Sequence, residues 1–293
     1  MSEPVLQPRA RWHPWAMLAP SVALLVLFFV VPVGVAAVES AFAWDMLTPP
    51  RFVGAENYEA LARGGELLRV ALRTFAFSAL VVVGAMAIGL GLAVLFNRRG
   101  RLYAFARGAV FSAYVVSWVA VALLWTWMLD SDSGVIAAAL HACGLPRVGF
   151  LTDPRVALVT LAGVAVWKIA GYAMIVFLAG LQSVPPDLLE AAALDGARPW
   201  ARFRWIVWPL LRPTAAFVAT TSLVISFQAF DVVRIMTQGG PANATELFVY
   251  AIYEQIFLNL RVGRASALTV VFLLLLLFLT GLQLRAWRQR TAA

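Results

Sequence analysis

The 293-residue chain has one lysine, Lys168, and one cysteine, Cys143. A lone cysteine excludes an internal disulfide and a cysteine-based metal cluster. The lysine sits in an apolar run, not after a glycine-rich turn. The chain therefore has no phosphate-binding loop of the GxxxxGK[ST] type and does not hydrolyse ATP by that route. The two histidines, His13 and His141, are far apart, and no HExxH-type pair exists. Charge is also scarce: 13% of residues are charged, against about a quarter in a soluble domain. What remains is 62% apolar. One globular core cannot hide that much apolar surface, so lipid is the expected solvent. The net charge of +8 raises a nucleic-acid partner as one reading and membrane orientation as another.

Uncharged runs of about 18 residues or more read as spanning helices. Six are expected: Ala16 to Val38, Thr74 to Phe96, Gly108 to Leu129, Val156 to Leu181 (carrying only Lys168), Pro213 to Phe230 and Ala265 to Leu284. Arg9 and Arg11 precede the first run as they would a secretory signal core. That run is longer than such a core and five others follow it, so it is expected to stay as a span. Six spans put both termini on one side. With the termini inside, segments 1–15, 97–107, 182–212 and 285–293 hold 13 basic and 4 acidic residues, and the outer segments hold 9 and 11. Basic residues concentrated in short inner segments give the positive-inside pattern, and no nucleic-acid partner is needed to explain the charge. In the second run Ala85, Gly89 and Ala93 recur at four-residue spacing, which lets helix backbones approach in lipid. Packing within one bundle is the expected use.

The segment 182–212 is the most informative. Pro186 suits the first turn of a helix, and Asp187 and Glu190 favour its N-terminal end. Leu188, Leu189, Ala192 and Ala193 form a narrow apolar face. Gly196 suits the left-handed residue that stops a helix, and Pro199 then opens a second short helix carrying Arg202 and Arg204. The first helix, about nine residues and near 14 Å long, is too short to stand alone. Docking on its own bundle and docking on a partner are equally open on these grounds.

The same segment resembles the signature loop of binding-protein-dependent ABC importer permeases. That loop has Glu-Ala-Ala, a glycine four positions after the second alanine, then nine residues and Ile-x-Leu-Pro. Glu190, Ala191, Ala192, Gly196, Ile206 and Pro209 match in register. Trp208 replaces the usual leucine, so the end of the motif departs from the pattern. Four further stretches are similar to the subgroup carrying sugars and, in some members, glycerol-3-phosphate. They are Phe52 to Tyr58, Leu178 to Ser183, Phe227 to Asp231 and Thr237 to Glu246.

The resemblance covers nearly the whole chain. It implies an all-α integral membrane protein of about six transmembrane helices in the bacterial cytoplasmic (inner) membrane. The expected parts are an N-terminal tail 1–15, a permease domain 16–284 with its cytoplasmic coupling loop 182–212, and a C-terminal tail 285–293. The loop, with Glu190, Ala191, Ala192, Asp195, Gly196, Arg202, Ile206 and Pro209, is expected to grip an ATP-binding subunit. Expected partners are a second permease subunit, making a heterodimer, two ATP-binding subunits and an external substrate-binding protein. No catalytic residue, metal or cofactor is expected in this chain; ATP and Mg belong to the partner subunits.

Family helices matching the fourth and fifth runs line the route, so Trp167, Tyr172, Ser222, Ser226, Gln228 and Asp231 are the expected pathway residues. Hydroxyl, amide and carboxylate groups can bond sugar hydroxyls, and the rings can stack on them. Helix-to-helix hydrogen bonding is the other use of such polar groups. Lys168, a charge inside a span, needs a partner. A structural ion pair is expected ahead of a substrate phosphate. An enzyme would need paired carboxylates, histidines or a metal set at membrane depth, and none is seen. An ion-coupled transporter would usually show repeats and buried acids, and the six runs contain no Asp or Glu.

Overall fold

The computed structural model describes residues 13–291. Arg9, Arg11 and the last two residues of the tail 285–293 lie outside them. The protein is helical almost throughout. Paired strands among the described residues are limited to Phe42–Ala43 and Arg51–Phe52, which run antiparallel. Among the described residues five helices are long and apolar enough to cross a membrane: Met17–Glu39, Glu66–Phe96, Ala157–Gln182, Pro199–Phe227 and Val262–Gln283. A sixth crossing comes from two helices, Arg101–Val115 and Trp118–Met128, bent by 99°.

Three expectations change. The third run is not one helix: Val116 and Ser117 are extended, with ψ of 142° and 141°, so the helix stops and restarts within an uncharged stretch. The second span starts at Glu66, not Thr74, because Gly65 at φ 63° provides its entry turn. The fifth starts at Pro199, so the expected second short helix is its first turn. There Pro213 lies inside the helix rather than opening it.

Proline also explains the irregular turns in two spans. Wide π turns occupy Val26–Val30 and Phe203–Val207, two residues before Pro32 and Pro209 respectively. A proline ring clashes with the carbonyl four residues back; widening the preceding turn moves that carbonyl aside without ending the helix.

Close approaches fix the directions of the helices. A Cβ at Gly84 would lie 2.6 Å from Val166, and one at Gly89 would lie 2.5 Å from Ala173. Both positions rise together, so the second and fourth spans run parallel. The bent pair joins the end of one to the start of the other and must cross between them. Ala85, Gly89 and Ala93 are all buried in this contact, which places the small-residue stripe inside the bundle. Without a hydrophobic drive between helices in lipid, such close packing is what holds them. Phe75 meets Phe227 edge to face at 5.4 Å, and Leu90 packs against the cluster of Val207 and Leu211, so the fifth span runs antiparallel to the second. Gly263 abuts the Phe42 carbonyl, and Ser266 donates to Glu39 at 3.3 Å. The end of the first span therefore meets the start of the last. Both described ends of the chain thus lie at the end that carries segment 182–212, here termed the loop end.

Candidate functional site

A cavity of about 230 Å³ opens between the second, third, fourth and fifth spans. Its polar wall is Ser226, Gln228 and Asp231; its apolar wall includes Phe77, Trp118 and Phe230. The fifth span ends at Phe227, and Asp231 opens the short helix Asp231–Met236. The break between them turns the three polar groups into one space. Ser226 is buried and donates to the Leu223 carbonyl at 2.8 Å. Gln228 is exposed and Asp231 half-buried. Among the described residues the lining carries no lysine or arginine.

The other expected pathway residues lie elsewhere. Ser222 is fully buried, and among the described residues its Oγ has no hydrogen-bond partner. Trp167 lines a separate, mostly apolar groove of about 650 Å³ with Leu80, Ile88 and Val110, edge-on to Trp125 at 5.5 Å. Tyr172 stacks on Tyr114 at 5.0 Å. Of the six residues, three share the cavity. Trp118 is a wall residue that sequence reasoning missed. It is the first residue after the break in the third span, and nothing in an unbroken apolar run marks that position.

At the loop end a nine-residue helix, Pro186–Leu194, stands between the fourth and fifth spans. Its C-terminus is a Schellman cap. Ala197 N–H donates to Ala192 O at 2.9 Å and Gly196 N–H to Ala193 O at 3.1 Å, with Gly196 at φ 78°. One edge is anchored: Leu189 packs against Val184, Val207 and Leu211. The rest projects outward. Glu190, Ala191, Asp195 and Gly196 are exposed, Leu194 is 90% exposed, and no atom lies near a Cβ placed at Gly196. Arg202, Ile206 and Pro209 are half-buried, and among the described residues the buried Arg202 Nε has no acceptor.

At the opposite end the remaining motifs act as staples. Asn57 donates to the carbonyls of Ser40 and Phe42 at 2.8 and 2.9 Å, and Tyr58 donates to Ser40 at 2.8 Å. Thr245 bonds Thr237 at 2.7 Å and the Gly240 carbonyl at 2.6 Å, closing the loop Thr237 to Glu246 on itself. Glu246 then pairs with Arg73 at 3.2 Å. Burial pushes the Glu246 carboxyl up, Glu254 adds to the rise, and Arg73 opposes it. Burial and then Glu66 push Glu254 up as well.

The family of binding-protein-dependent transport system inner membrane components matches residues 85–289, and the chain belongs to that family. It is 34% identical to the sn-glycerol-3-phosphate transport system permease protein UgpA of Agrobacterium fabrum, over 94% of this chain and 95% of that one. It is 33% identical to the protein of the same name from Salmonella typhimurium, over 97% and 96%. Among solved structures it resembles a bacterial ABC transporter involved in import of the acidic polysaccharide alginate: 26% identity, TM-score 0.78, 94% of this chain and 96% of that one. The chain is thus a non-catalytic, multi-pass permease subunit of an inner-membrane ABC importer, and hydrolysis of ATP falls to a separate subunit.

Proposed function

We propose that the chain forms half of the translocation pathway for a sugar or other neutral polyol that an external binding protein delivers. One observation carries this reading: hydroxyl, amide and carboxylate groups share a cavity with Trp118 and Phe230, and among the described residues no basic side chain lines it. Polar edges against aromatic faces suit a polyhydroxylated ring. The relatives named for glycerol-3-phosphate support a second reading, a polyol phosphate. On that reading the cation for the phosphate comes from the second permease subunit, because Asp231 alone would repel a phosphate.

The partners in this reading are a second, different permease chain, two ATP-binding subunits that hold ATP and Mg, and the binding protein. The loop end faces the cytoplasm, as its basic excess supports, so both termini are cytoplasmic. Pro186–Leu194 is the coupling helix: its exposed face, with Glu190 and Leu194, is gripped in helix-in-groove fashion by an ATP-binding subunit. The same reading takes the chain as two short tails around one permease domain, 16–284.

The test is uptake by the assembled importer in proteoliposomes, using labelled neutral mono- and oligosaccharides and labelled glycerol-3-phosphate. Saturable uptake of a neutral sugar supports the first reading. Uptake of glycerol-3-phosphate alone would replace it with the second.

A further inference from the structure

Lys168 has a use that neither an ion pair nor the cavity supplies. It lies within Ala157–Gln182 and is 2% exposed. Its Nζ donates to the carbonyls of Ala113 at 3.2 Å, Tyr114 at 2.9 Å and Val116. These carbonyls end the helix Arg101–Val115. They have no partner inside it, and they carry the negative pole of its dipole. The ring of Trp118, 4.9 Å from Nζ, and that of Tyr114, at 5.8 Å, complete the surroundings. Among the described residues no carboxylate pairs with this lysine. The expected ion pair is replaced by a helix end. Gly171 permits the approach: a Cβ there would stand 2.4 Å from the Val110 carbonyl.

We propose that Lys168 pins the break in the third span. It holds Arg101–Val115 and Trp118–Met128 at their angle and so places Trp118 in the cavity wall, which makes it a positioning residue for transport. Three donors on a flexible stem meet three carbonyls. Without them those carbonyls face an apolar interior unpaired, which costs more than a lost hydrogen bond. The uncharged run can then satisfy them only by closing Val116 and Ser117 into continuous helix. The link from Trp118 to transport rests on the cavity being the substrate path.

The experiment uses the assembled importer in a Cys143→Ser background, with spin labels at Leu102→Cys and Trp127→Cys, both exposed positions. At 1.5 Å per residue those Cα atoms lie about 24 Å apart across the bend and about 37 Å apart in a straight helix. Lys168→Met is expected to lengthen or broaden the measured distance. It should also raise the apparent KM for uptake on the order of tenfold, with assembly and maximal ATP hydrolysis largely kept. Lys168→Arg, which keeps donors and charge, should retain the wild-type distance. An unchanged distance in Lys168→Met overturns the pin. A changed distance with unchanged KM, while Ser226→Leu impairs uptake, overturns the positioning role. If Ser226→Leu and Gln228→Leu leave uptake intact while the distance still lengthens, the cavity reading fails and the pin stands.

Discussion

Gly196 and Ser226 make opposite demands on a substitution. At Gly196 there is open space, so only the backbone objects. A φ of 78° costs a side chain about 1 kcal/mol, and Gly196→Ala should lower transport modestly. Gly196→Asp adds a charge to the surface offered to the ATP-binding subunit. It should abolish transport and co-purification of that subunit, with the chain still inserted in the membrane. Wild-type levels of both would remove the coupling role from this loop. Ser226 is packed, and a larger side chain must enter the cavity it borders. Ser226→Leu should cut uptake severalfold while the complex still assembles; unchanged uptake across Ser226, Gln228 and Asp231 variants would detach the cavity from transport. The conformation of Gly196 is legible in the sequence, because a helix-stopping glycine between two prolines has few other uses. The placement of Ser222 is not. Ser222 and Ser226 share a helix face by spacing, yet only one meets the cavity, and which one is set by how the fifth span rotates against its neighbours.

The elements split the same way. The existence and length of Pro186–Leu194 are legible in the sequence, since proline at its start and glycine past its end are local signals. The break at Val116–Ser117 is not, since an apolar run reports lipid burial and says nothing of a lysine on another helix that captures its carbonyls. The motifs at the opposite end were visible as patterns, but their staple role needed partners far along the chain: Asn57 with Ser40, Glu246 with Arg73. That end also predicts a pH effect. Glu254 is held above an ordinary carboxyl value of about 4.5, so the folded protein binds more protons than the unfolded chain. The stability this contributes is present below the unfolded value and is lost as pH rises through the raised one. The thermal midpoint of the purified complex should fall over that window, and Glu254→Gln should flatten the fall. An identical pH profile in that variant would show that Glu254 does not contribute.

For the whole molecule, the arginine counts in the sequence predict which side of the membrane the loop end faces, while the common end for the two described ends of the chain follows from the parallel second and fourth spans. Cysteine introduced at Arg198→Cys in the Cys143→Ser background should resist an impermeant thiol reagent added outside intact cells; ready labelling would invert the orientation. The number of crossings was legible because each run is long enough to span lipid, and the cavity was not, because it forms where helices stop short. On the proposed function this chain conducts solute only as part of an ATP-driven assembly. The most direct measurement is uptake of labelled sugars and glycerol-3-phosphate into proteoliposomes. It compares the complete importer and its binding protein with the purified chain alone, each with ATP or with an imposed proton or sodium gradient. Uptake is expected from the complete importer with ATP and binding protein, and none from the chain alone. Gradient-driven uptake by the chain alone, without ATP, would contradict the proposed function.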